Sequence, residues 1–112
     1  MLNPRDRAIL VKIQNELDDI NEYVTGIDFE TFNNAGVIKK AVSMSIINMA
    51  ELAKHLSPEF VDAHQYIPFK ALKATRHVAA HEYQQLRFDY IWEAIQTDFP
   101  QLKSDIQKII SQ

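Results

Sequence analysis

Apolar residues recur three and four positions apart along most of this chain, and that spacing predicts helices. Leu10, Ile13, Leu17, Ile20 and Val24 fall on one face of a first helix, while Glu16, Asp18, Asp19 and Glu22 gather on the solvated side. "NPRD" opens it. Asn3 fits the cap, Pro4 the first helical position, where its missing N–H is no loss, and Asp6 the first turn. Gly26 ends it. "DFETF" (28–32) reads as a short connector whose Phe29 and Phe32 plug the end of the bundle. A second helix runs from about Ala35 to Leu56, with Ile38, Val42, Met49, Leu52 and Leu56 on one face. Val37, Met44 and Ile47 widen its apolar arc, which predicts burial on two sides, by the bundle and by a partner.

Pro58 breaks the pattern, and a short helical turn is expected before Pro68 starts a third helix from Phe69 to about Tyr83. Phe69, Leu72, Thr75, Ala79 and Tyr83 line its core side. Asp89 is the expected cap of a fourth helix, where Trp92, Ile95, Phe99, Leu102, Ile106 and Ile109 keep one register across Pro100. A stripe that survives a proline predicts a last helix kinked at Pro100, or two nearly collinear ones. No β-alternating run, repeat or low-complexity segment interrupts this. The prediction is an all-α bundle of four to five helices, forming one domain over residues 1–112.

Composition narrows the chemistry. The absence of cysteine excludes disulfides and thiolate metal sites, and no run approaches the roughly 20 apolar residues of a membrane span. "MLNPRDR" lacks an apolar signal core, so a cytoplasmic location is expected. The net charge of −3 argues against indiscriminate binding to nucleic acid. Its distribution matters more: residues 69–88 carry Lys70, Lys73, Arg76 and Arg87 against Glu82 alone, a local charge of +3. Any contact with RNA is therefore expected through one patch.

That patch contains "RHVAAHEY" (76–83). At about 100° per residue, Lys70, Lys73, His77 and His81 cluster within about 80° of one another. Arg76 falls nearer the core side, roughly 140° from His81 on a straight helix. For both to grip one phosphate, the helix must tighten near His81 or two copies must meet. Taken alone, Arg76 reads as half of a structural ion pair with Glu51, and Tyr83 as a core residue with a wet hydroxyl. His77 and His81 have the i, i+4 spacing of metal ligands but no evident third ligand, so neither a metal nor a cofactor is predicted. No Gly-rich phosphate loop or G-x-S-x-G elbow is present, which removes the familiar nucleotide-binding and hydrolase mechanisms.

Taken together, the residues resemble the HepT-like branch of the HEPN superfamily, small helical toxins encoded beside a minimal nucleotidyltransferase antitoxin. The family's R-x-x-x-x-H-x-Y pattern here reads Arg76, His81 and Tyr83. "IPFKALKATRHVAAHEY" resembles the family's motif helix, with Phe69 where Trp is common. "AVSMSIINMAELAKHL" resembles the helix before it, with Met49, Ala50 and Glu51 at the usual Ile-Gly-Glu position. "FDYIWEAIQTDFPQLK" resembles the segment after it. The residue after the Arg is often Asn or Asp in the family; here it is His77.

The resemblance implies a metal-independent endoribonuclease acting as a homodimer within a type II/VII-like toxin–antitoxin pair. In it two motif helices line a shared cleft, and the ribose 2′-OH is the nucleophile. It gives His81 the role of general base or acid and Arg76 that of transition-state stabiliser, with His77 auxiliary and Lys70 and Lys73 steering the RNA backbone. Tyr83 matches the tyrosine to which the antitoxin adds AMP, which would place negative charge beside the cleft. The competing reading is a non-catalytic HEPN module that binds a nucleotidyltransferase or acts as its substrate adaptor. A purely structural dimerisation bundle leaves the Arg-His-Tyr cluster unexplained.

Overall fold

The computed structural model describes residues 2–80 and 88–112. Among them lie seven helices and no strand: α1 (Pro4–Val24), α2 (Phe29–Asn34), α3 (Gly36–Ala53), α4 (Pro58–Ala63), α5 (Phe69–Ala80), α6 (Phe88–Gln96) and α7 (Asp98–Ile110). The fold is all-α, as the periodicity predicts. The count rises to seven because the short segments at 29–34 and 58–63 are helices of their own and the last helix is divided.

Each boundary has a local cause. Asn3 caps α1 by accepting a hydrogen bond from the Asp6 N–H at 2.7 Å, with Pro4 in the first turn. Gly26, two residues past the helix, takes φ 78°, the left-handed conformation that a side chain disfavours. Asp28 caps α2 through the Thr31 N–H at 2.8 Å, and this bond holds its carboxyl below the usual value. Ser57 caps α4, accepting from the Phe60 N–H at 3.2 Å, with Pro58 next. Phe88 is already helical, so Asp89 stands within α6 rather than at its cap.

The last break lies at Thr97, three residues before Pro100. A proline ring collides with the carbonyl four residues back, which here is that of Gln96, the last residue of α6. Pro100 itself sits in the first turn of α7, where an absent N–H leaves nothing unpaired.

α3 packs between α1 and α5, α7 returns against α1, and α6 bridges α5 and α7. Leu10, Ile13, Leu17, Ile20 and Val24 of α1 are all buried. They meet Val42, Ile46 and Met49 of α3, and Leu102, Ile106 and Ile109 of α7, in one apolar core. Fully burying a side chain of this size contributes about 1.5–3 kcal/mol, so the stripes are the main cause of the fold. At one end Phe32 is fully buried among Phe88 and Trp92, with ring centroids 6.1 and 5.2 Å away, and Phe29 packs on Trp92 at 6.1 Å. Lys39 lies over the Phe88 ring at 4.3 Å, tying the start of α6 to α3. At the other end the Arg7 guanidinium donates to the Ile110 carbonyl at 2.8 and 3.0 Å.

Two further features bear on the rest, one polar and one apolar. Asp6 is buried, and its carboxylate accepts from Asn3 Nδ2 at 2.9 Å, the Ser57 N–H at 2.9 Å and Ser57 Oγ at 2.6 Å. It thereby pins the cap of α4 to the start of α1. By contrast, the wide apolar arc of α3 is not covered within one chain: Val37 is 83% exposed and Met44 57%. No described helix is long and apolar enough to cross a membrane.

Candidate active site

Helix α5 divides as its sequence requires. Leu72, Thr75 and Ala79 are buried toward α3 and α6, and Thr75 satisfies its hydroxyl by donating to the Ala71 carbonyl at 2.6 Å. Lys70, Lys73 and His77 are exposed on the outer side. Arg76 lies between the two faces, its side chain 36% exposed. His81 and Tyr83 lie outside the described residues, as does the continuation of the helix to Tyr83.

The ion pair expected between Arg76 and Glu51 is present, but it is loose. Nη2 of Arg76 stands 3.6 Å from Oε1 of Glu51, beyond good hydrogen-bond length. The same oxygen accepts from Lys54 Nζ at 3.0 Å. Lys54, through its hydrogen bond and then its charge, holds the Glu51 carboxyl below its usual value, with smaller contributions from Arg76 and His55. Glu51 therefore stays ionised and belongs first to Lys54. The Nε–H of Arg76 is buried and has no acceptor among the described residues. A guanidinium offers five N–H donors in a planar fork, and among the described residues one distant carboxylate engages a single arm.

Arg76 forms part of the lip of an open cleft of roughly 350 Å³ between α3, α4 and α5. Ala50, Ala53, Val61, Phe69 and Leu72 make its apolar walls, and the polar lining is entirely cationic: Lys54, Lys73 and Arg76. Lys54 is the residue that sequence reasoning missed. It follows the last residue of α3, and its one signal was the i, i+3 spacing from Glu51. Lys70 is not among the lining residues. His55 and His64 stand apart from this cleft, and His64 stacks on Phe60 with centroids 4.2 Å apart while its Nδ1 meets the Phe60 carbonyl at 2.9 Å. The acidic face of α1 is solvated, with Asp18 paired to Lys103 at 2.8 Å.

A bundle of helices with no strand among the described residues is the architecture expected of a HEPN-type protein. The family described as "Ribonuclease HepT-like" matches residues 13–109, and the chain belongs to it. A protein of Caldanaerobacter subterraneus subsp. tengcongensis named "Putative RNase" is 32% identical over 104 residues, covering 93% of each chain. A Methanocaldococcus jannaschii protein of the same description is 30% identical over 104 residues, 93% of this chain and 90% of the relative. A third, from the same archaeon and named "Gamma-glutamylcyclotransferase and putative RNase", is 27% identical over 106 residues, which make up 48% of it. No solved structure matches the chain.

Proposed function

We propose that this HepT-like protein is a metal-independent endoribonuclease in which Arg76 and His81 carry the chemistry. The observation that carries the reading is the state of Arg76: a guanidinium at the lip of an open cationic cleft, engaged by one carboxylate at 3.6 Å. His81 takes the proton from a ribose 2′-OH, and the 2′-oxygen attacks the adjacent phosphorus. The bond to the 5′-oxygen breaks, that oxygen leaves with a proton, and a 2′,3′-cyclic phosphate remains. Arg76 faces the phosphoryl oxygens as charge builds on them, with His77 assisting and Lys70 and Lys73 attracting the backbone.

The site is shared by two copies. The exposed Val37 and Met44 continue at seven-residue spacing to Glu51, so a second copy laid along this stripe of α3 is led to the Arg76 lip. Tyr83 is the acceptor of AMP from a cognate minimal nucleotidyltransferase antitoxin, whose added phosphates occupy the arginine and repel RNA. The second reading, a non-catalytic partner of such a transferase, draws support from the net charge of −3 and from the hold of Glu51 on Arg76.

The test is cleavage of a single-stranded RNA in the presence of chelator. A 2′,3′-cyclic phosphate product, with survival of the same strand carrying 2′-deoxyribose at the cut, is expected. Equal cleavage of both strands, or dependence on added magnesium, overturns the mechanism. Absence of any cleavage, with tight binding to a transferase, selects the second reading. Incubation with that transferase and ATP should raise the mass of the wild-type chain by AMP units and leave Tyr83→Phe unchanged.

A further inference from the structure

The catalytic reading uses the lip of the cleft and leaves its apolar interior without a role. Ala53, Val61, Phe69 and Leu72 line a space of roughly 350 Å³, near the lower end of the roughly 300–1,000 Å³ typical of ligand pockets. Lys54 and Lys73 stand on its rim beside Arg76, and no carboxylate lines it among the described residues. A fitting occupant has an apolar part to displace water from the walls and negative charge at its edge. A nucleotide meets both conditions, its base against the walls and its phosphates against the lysines. A base can enter only if it is unpaired and unstacked, which excludes duplex RNA.

We infer that this cleft is a base-binding subsite for single-stranded RNA, with Lys54 and Lys73 on the phosphates flanking the held nucleotide. The subsite rests on the reading of the chain as a ribonuclease that meets RNA through α5. It fixes the register of the strand: the base that enters the cleft is a near neighbour of the phosphate under Arg76. Selectivity then comes from contact with Phe69 and the aliphatic walls, so the preference is for bases that stack well rather than for one hydrogen-bonding edge.

Binding of the full chain to an uncleavable 2′-O-methyl oligonucleotide, followed by fluorescence anisotropy, separates this subsite from catalysis. Ala53→Leu fills the cleft and should weaken binding about tenfold without changing its salt dependence. Lys54→Ala should flatten the slope of log K against log salt by about 0.7, the signature of one lost phosphate contact on a single strand. An abasic nucleotide at the held position should cost the wild type about tenfold and Ala53→Leu nothing further. Val61→Glu, at a position 40% exposed that tolerates a polar side chain, supplies a second variant by placing a carboxylate on the wall. If Ala53→Leu and Val61→Glu both bind RNA as the wild type does, the subsite is overturned. If instead they lower the mass seen by sedimentation and leave RNA affinity intact, a second copy of the chain occupies the cleft, and the inference also fails. A wild type that binds through these residues but leaves ordinary RNA uncut refutes the proposed catalysis and retains the subsite.

Discussion

Two carboxylates in this chain do opposite things. Asp6 is buried and takes three hydrogen bonds of 2.6 to 2.9 Å, so that both of its oxygens are engaged at the joint between α1 and α4. Glu51 is half exposed and shared between Lys54 and Arg76, and among the described residues the Arg76 Nε–H has no acceptor. A polar group whose partners are all supplied by the fold is a structural fastening. Arg76, which Glu51 holds only loosely at an open cleft beside Lys54 and Lys73, has donors to offer a ligand that arrives from outside. The contrast marks the surroundings of Arg76 as the candidate site without reference to any relative.

The largest effect that sharpens the contrast is on cleavage. Arg76→Ala and His81→Ala should each lower the rate by about 10²–10⁴-fold while circular dichroism remains helical. The melting temperature of Arg76→Ala should move by less than about 3 °C, because a half-exposed ion pair contributes little to stability. If Arg76→Ala unfolds the chain, the scaffold has been mistaken for the site. Next comes the fastening itself. Asp6→Ala strands the donors of Ser57 and Asn3 and should reduce unfolding free energy by about 2–4 kcal/mol in urea titrations. An Asp6→Ala chain as stable as the parent would erase the distinction.

Smaller effects follow. Lys73→Ala should reduce the salt dependence of RNA binding by about 0.7 in the logarithmic slope, with Lys70→Ala changing it less because Lys70 stands off the cleft. Glu51→Gln releases Arg76 and should raise RNA affinity about two- to threefold, and a loss of affinity would mean that Glu51 orients the arginine instead. The pH dependence has a definite sign. The Glu51 carboxyl is depressed in the folded chain, so its contribution to stability is fully present above its ordinary value of 4.5. That contribution is lost as pH falls through the lower folded value. Urea midpoints measured from pH 6 down to pH 3 should therefore fall less steeply for Glu51→Gln than for the parent, and parallel curves would contradict the shift.

Much of this was readable along the chain because helices record burial at fixed spacing. Every α1 residue placed on the apolar face is buried, and Leu72, Thr75 and Ala79 face inward on α5 as their spacing requires. The pairing of Arg76 with Glu51 was also foreseeable, from two helices expected to pack side by side. What spacing could not convey is which positions meet across helices. Asp6 looked like an ordinary first-turn acid, since nothing local announces that Ser57 will come to it. Lys54 drew no notice in the sequence, and only the approach of α4 and α5 to the end of α3 sets it on the rim of a cleft. The position of the last break depends on a clash that reaches backward along the chain, so the visible proline marks it three residues late.

The bond between Arg7 and the Ile110 carbonyl joins groups 103 positions apart. A chain emerging from the ribosome cannot make it until its final helix is released. The helices that frame Arg76 are near neighbours in sequence, and contacts of short separation form first. The lip of the cleft is thus assembled while the far side of α1 still waits for α7. During synthesis, only the part of the α1 stripe that meets α7 stays open to water until that last helix is released, because the rest of the stripe packs on α3.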